Sequence, residues 1–305
     1  MRTRFGRPDV SRYADRFDLP EAGRGPSVTF LGVTTLLLRD GTSAVMTDGF
    51  FSRPPLAAVG MRRIAPDPAR VDAALARAGV DSLDAIIPVH THFDHAMDTA
   101  LVAARTGARL VGGASAARIG LGGGLPEARI TRAASGDRIA CGAFTLTPVG
   151  SRHCPPDRYP GEITEPVVPP VRASAYRCGE AWSLLVEHTG GRTALVQGSA
   201  GFVPGALDGY AAEVVYLGVG QLGLRGEDYI RAYWRQTVEA VGARRVALVH
   251  WDDFFRPLDK PLRALPYLGD DLDATMGVLD RLAAEQGVPV HFPSLWRRED
   301  PWSGL

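Results

Sequence analysis

Residues 90–95 read His-Thr-His-Phe-Asp-His and follow without a break from the apolar run DAIIPV at 84–89. That run has the length and composition of a buried strand, so the cluster lies where a strand gives way to a loop. Imidazole and carboxylate are the usual ligands of zinc and similar ions, and a loop lets alternate residues turn toward neighbouring points. In an extended stretch His90 and His92 share one side, while Asp94 and His95, beyond the turn, reach a second point. The pattern predicts two adjacent cation positions rather than one.

The rest of the composition narrows the class of protein around this cluster. A chain of 305 residues with 45% hydrophobic and 22% charged side chains is an ordinary globular protein, and mixed α/β domains reach this size. Lys plus Arg and Asp plus Glu both total 34, so no global cationic field exists to hold a polyanion, and nucleic acid is not an expected partner. Cys141, Cys154 and Cys178 form no CxxC pair and cannot all pair within the chain, which fits a reducing compartment. The charged amino terminus lacks the apolar core of a secretory signal, and no apolar stretch nears the roughly 20 residues of a membrane span. The expectation is a cytoplasmic protein acting on a small molecule, with no membrane partner and with its oligomeric state open.

Residues 1–26 are polar and Arg-rich and end in Gly-Arg-Gly-Pro, so they read as an extension to a domain spanning 27–305. Within the domain, strands are expected over SVTFLGVTTLLLRDG (two segments), SAVMTDGF, DAIIPV, 108–112, 137–149, 181–188 and 193–197. Helices are expected over 69–79 and 98–106. AEVVYLG, a helix over 227–241, RVALVH, a helix over 273–286 and PVHF then alternate as βαβαβ. The Pro-rich stretch between His153 and Trp182 is too long for a tight connection and reads as a functional lid.

The HxHxDH motif at a strand end resembles that of the metallo-β-lactamase superfamily, and the resemblance runs from about residue 27 to the carboxyl end. It implies an α/β fold of four layers, the αββα sandwich. It also implies further ligands. His153, in TLTPVGSRHC, stands where the third ligand of the first metal is found, and His250, in RVALVHWDDFF, where the closing ligand of the second is found. The first ion would then be held by His90, His92 and His153, and the second by Asp94, His95 and His250, with Asp94 also counted among the catalytic residues. Asp48, in VMTDGF, resembles the family's early aspartate, which supports the site from outside the ligand shell. One position departs from the family: the bridging aspartate is replaced by Ser199 in TALVQGSAGF. A neutral hydroxyl is a far weaker ligand than a carboxylate, so the second ion is expected to be held more loosely. The implied cofactor is Zn2+, one or two per chain, with Mn2+ or Fe2+ as alternatives.

Several other features have plainer explanations. Asp252 and Asp253 fit a cap or a support for the neighbouring imidazole better than direct catalysis. Cys154 reads as a buried thiol, and His188 and His291, which lack companion ligands, as structural. GVGQLG at 218–223 fits GxGxxG but lacks the acidic partner and the second nucleotide-binding half, so it reads as a turn, and the glycines at 122–124 read as a linker. The stretch from Cys154 to Glu180 is expected to form a flap whose Tyr159, Glu162 and Tyr176 touch substrate. The leading function is metal-dependent hydrolysis of a small-molecule ester, lactone or amide by a metal-bound hydroxide, since zinc-bound water ionises near pH 7. Phosphodiester hydrolysis and a non-catalytic metal-binding role are the alternatives.

Overall fold

The computed structural model describes residues 4–305, in which fourteen strands form two seven-stranded sheets. The first sheet takes β1 (Ser27–Phe30), β2 (Leu36–Arg39), β3 (Ala44–Thr47), β4 (Ala85–Ile87), β5 (Arg109–Gly112) and β6 (Ile130–Arg132). The second takes β7 (Ile139–Cys141), β8 (Phe144–Gly150), β9 (Trp182–His188), β10 (Thr193–Gln197), β11 (Val214–Gly218), β12 (Arg245–Val249) and β13 (Val290–His291). The last strand, β14 (Arg298–Glu299), returns to pair with β1 at the edge of the first sheet.

Alternation along the strands sets the layers. Leu36, Leu38, Val45, Ala85 and Ile87 belong to the core shared with the second sheet, whereas Leu37, Met46 and Ile86 belong to a separate core on the opposite face. Successive side chains of a strand point to opposite faces, so the continuous apolar runs are those of strands covered on both sides. The outer core is completed by Val71, Ala74 and Leu75 of α2 (Pro68–Ala78), which follows the short α1 (Leu56–Met61), and by Ala100, Val102 and Ala103 of a helix at Thr99–Thr106. The remaining helices in chain order are α3 (Phe93–Ala96), α4 (the Thr99–Thr106 helix), α5 (Ala114–Gly122), α6 (Glu227–Trp234) and α7 (Leu272–Gln286). Ile230 and Trp234 of α6 and Met276 and Leu279 of α7 join the core of the second sheet. The result is the expected αββα order of layers.

Strands β3 to β6 run parallel, as do β10 to β13, while the other pairings are antiparallel. Parallel strands end on the same side, and the loops beyond β3, β4, β10, β11 and β12 carry Asp48, the His90–His95 motif, Ser199, the Gly218–Gly223 turn and His250. Three elements differ from the sequence expectation. The strand expected over 137–149 is a hairpin, because Gly142 at φ 61° turns the chain between β7 and β8. The helix expected over 227–241 passes at Arg235–Glu239 into a π turn. The glycines at 122–124 are not a simple linker: Gly122 closes α5, whose Ala-Gly sequence masked a helix.

Candidate metal centre

The motif leaves β4 and enters α3 with His92 at the N-cap, so the chain turns between His92 and Asp94. His90 and His92 remain on the extended side and Asp94 and His95 on the first turn of the helix. His90 Nε2 lies 3.2 Å from His92 Nδ1, and His153, beyond the end of β8, sets its ring edge-on with centroids 4.9 Å from His90 and 4.6 Å from His92. In the second group His95 Nε2 lies 3.2 Å from His250 Nε2, and Asp94 Oδ2 stands 3.7 Å from the first and 3.5 Å from the second. Within each triad, His90–His92–His153 and Asp94–His95–His250, one ligand atom per residue falls within 4.8 Å of the others. The two triads adjoin, with the His90 and His95 rings 3.9 Å apart.

The outward-facing nitrogens decide what the inward ones can do. Asp48 is fully buried and takes a hydrogen bond from His95 Nδ1 at 2.8 Å; it also accepts from Val89 N at 2.8 Å and from Thr34 Oγ1. His92 Nε2 lies 3.1 Å from an Asp157 oxygen, and His153 Nδ1 donates to the Cys154 carbonyl at 2.7 Å. A nitrogen that donates outward leaves a lone pair on the other side of the ring. With His95 Nδ1 and His92 Nε2 engaged outward, His95 Nε2 turns a lone pair toward His250 Nε2 and His92 Nδ1 one toward His90 Nε2, each at 3.2 Å, so that nitrogen donors converge within each triad as the ligands of a cation do. The residues present fit a divalent metal.

Electrostatics agree. Burial, reinforced by the crowding of His95, His92, His153 and His250, holds His90 well below the usual imidazole range, and burial with His92 beside it brings His153 to about 4. Burial opposes the charge on Asp94, but His95 and His250 outweigh it and hold the carboxyl below its usual range. Burial likewise opposes the His250 cation, and the bond to Asp94 overcomes it, raising His250. Burial thus favours the neutral form of His90 and His153, and the second triad holds the one carboxylate.

His250 is placed by strained backbone. It adopts φ 59°, its N–H donates to Val33 O at 2.7 Å, and Val33 itself has φ 53°. Non-glycine residues in this region cost of order 1–3 kcal/mol and persist where surrounding bonds overdetermine them. Here the bonds come from Asp252, which accepts from Val33 N at 2.9 Å and pairs with the buried Arg53 at 2.7 Å. This corrects the expected role of Asp252: it anchors the Val33 and Arg53 loops and makes no bond to an imidazole, while His250 Nδ1 is buried without a partner. Gly220, in the turn that resembled a nucleotide loop, packs against that edge, where an added Cβ would sit 2.7 Å from His250 Nδ1.

Ser199 stands beside the first triad with its hydroxyl accepting from Cys154 N at 2.9 Å, so it faces backbone. Among the described residues no other carboxylate joins the two triads. The flap closes on the motif through Thr91 N to Cys178 O at 2.8 Å and Ile163 N to Ser115 Oγ at 3.1 Å. Of its three expected substrate contacts, Tyr159 lies edge-on to His92 at 6.3 Å and is partly exposed, and Glu162 is exposed. Tyr176 corrects the expectation: it is 1% exposed and packs with Phe50, Phe93 and Met97 beneath the flap, where its ring stabilises the loop. His188 and His291 lie away from the triads, paired with Asp40 at 3.0 Å and Asp18 at 2.6 Å. Sequence reasoning missed Asp157, the carboxylate behind His92. Its only signal was its place four residues after His153, which does not say where a Pro-rich loop points.

The comparisons with known proteins bear on this geometry. No curated protein matches the chain. Among solved structures, a protein of Parabacteroides distasonis described as a metal-dependent hydrolase is similar at TM-score 0.54 and 13% identity, over 92% of this chain and 99% of that one. A metallo hydrolase of the archaeon Ignicoccus hospitalis is similar at TM-score 0.50 and 15% identity, over 89% and 96%. The diiron β-hydroxylase CmlA of Streptomyces venezuelae is similar at 0.52 and 14%, over 91% of this chain but 54% of CmlA. At these identities the likeness is one of fold. The family model of the metallo-beta-lactamase superfamily matches residues 28–196, which include the whole HxHxDH motif, His153 and most of the strands that position them, and the chain belongs to that superfamily.

Proposed function

We propose that the protein is a metal-dependent hydrolase of a small-molecule ester, lactone or amide. The coarse part of this reading, a hydrolase-like fold of the superfamily, rests on the family match and the hydrolase neighbours. The finer part is supported by one observation: two adjoining triads of potential ligand atoms in which the outward nitrogens of His95, His92 and His153 are engaged by Asp48, Asp157 and the Cys154 carbonyl. His90, His92 and His153 would hold one ion, and Asp94, His95 and His250 the other, with zinc as the ion that imidazole and carboxylate suit. When bound, such ions supply Lewis acidity and a nucleophile from water at neutral pH. The chain's own part is to keep the ligand rings in one tautomer, through Asp48 and the Cys154 carbonyl, and to limit water through the flap.

The test is elemental analysis of protein purified without chelator, with turnover of aryl esters and bis-aryl phosphates by the same sample. One to two transition-metal ions per chain and turnover of the esters are expected. Metal content near zero after dialysis against zinc would remove the proposal, and preferential turnover of the phosphates would reassign it to phosphodiesters.

A further inference from the structure

The rings around the metal centre bear on the class of substrate. Phe93 stands inside the ligand motif, and its ring meets Phe254 at 6.3 Å and Phe255 at 6.5 Å. Phe254 and Phe255 are 4.4 Å apart, and Phe254 turns its edge to the His250 ring at 5.6 Å. At the first triad, Tyr159 stands edge-on to His92. Each triad therefore has an aromatic ring against one of its imidazoles. Core packing accounts for Phe93, which is 7% exposed, and for Phe50 behind it. Phe254 and Phe255, consecutive on the loop that carries His250, and Tyr159 of the flap also pack against this core, but each keeps part of its ring open. Apolar surface of this kind beside convergent polar ligands is what a binding site presents to an apolar ligand group.

We infer that the substrate carries a neutral aromatic group next to the scissile carbonyl, seated on Phe254 and Phe255 and faced by Tyr159 of the flap. The inference rests on the hydrolase reading above. Offset or edge-to-face contact with the phenylalanines would recognise a ring, and the partly exposed faces would be covered when it binds.

The test compares methyl acetate with methyl phenylacetate on the zinc-loaded full chain, followed by base uptake at constant pH. The kcat/KM ratio of phenylacetate ester to acetate ester is expected to be about tenfold or more in the wild type. It should fall toward one in Phe254→Ala and Phe255→Ala and stay high in Phe254→Leu, which keeps apolar volume and guards against a folding loss. An unchanged ratio in both alanine variants overturns the inference. Calorimetric titration of the metal-free chain with phenylacetate and with acetate gives a second readout independent of turnover. Phenylacetate should bind more tightly than acetate in the wild type, with the difference lost in Phe254→Ala, and equal affinities overturn the aromatic seat. If these esters and the aryl esters are all left unhydrolysed, the hydrolase reading fails, and the calorimetry alone still decides the seat.

Discussion

His90 and His153 stand together without a carboxylate partner between them, and burial, with His92 beside each, holds both below the usual imidazole range. His188 and His291 instead carry carboxylate partners. His90→Ala and His153→Ala are therefore expected to lose metal and activity together, whereas His188→Ala and His291→Ala should keep both and lose about 1 kcal/mol of stability each. Metal content and chemical denaturation of the four variants check this; equal metal loss in all four would mean that the ligand set is wrong. Ser199 raises a separate question. Its hydroxyl bonds to Cys154 N, so no side chain carries negative charge between the triads at that position. Ser199→Asp is expected to raise the affinity of the second, weaker position in a zinc titration, because a bridging carboxylate supplies both charge and geometry. Two indistinguishable equivalents in wild type and variant alike would contradict it. The members of the two triads were readable in the sequence, four from the motif and His153 and His250 from the family resemblance, but the partners behind them were only partly so. Asp48 was readable from a resemblance, Asp157 was not, and Asp252 was read with the wrong partner, because a carboxylate's neighbours are chosen by loop packing.

At the scale of elements, β14 closes the first sheet and buries Glu299, whose carboxylate accepts from Ser294 N at 3.1 Å and Arg297 Nε at 3.0 Å. Burial outweighs these bonds and pushes the carboxyl up to about 7. An acid whose pKa is raised on folding favours the folded state below its unfolded value, near 4.3, and that contribution is lost as pH rises through about 7. The stability of wild type relative to Glu299→Gln is thus expected to fall between pH 5 and pH 8, by about 1–3 kcal/mol. Other titrating groups are common to both proteins and cancel. Urea denaturation at the two pH values measures it, and a difference independent of pH would show that Glu299 is not raised. The strand β14 itself was invisible in the sequence, since two residues have no periodicity. By contrast α2 and α7 were legible from their ends: Asp67 and Asp271 cap their first turns, and Gly79 and Gly287 close them at φ 63° and 68°.

For the whole molecule, the candidate metal centre spans the two sheets, with His90, His92, Asp94 and His95 from the first and His153 and His250 from the second. Ions held across that boundary bind the folded chain and not the unfolded one, so removing them with a chelator should lower the melting temperature. At free metal one hundred times the dissociation constant the linkage is worth about 2.7 kcal/mol, enough to resolve by calorimetry. A melting temperature unmoved by chelator and by zinc would show that the triads hold no ion. While the order of layers was legible only through the family resemblance, what the sequence by itself determined was local: which residues can ligate and where most strands and helices run. Those features depend on residue type and on contacts within a few positions of the chain. Only the tertiary structure decided that Phe254 and Phe255 lie partly open beside His250, that Tyr176 is buried beneath the flap, and that Asp157 stands behind His92. Each of these depends on how a loop of many residues closes, and that closure is set by long-range packing and hydrogen bonds that no local pattern encodes.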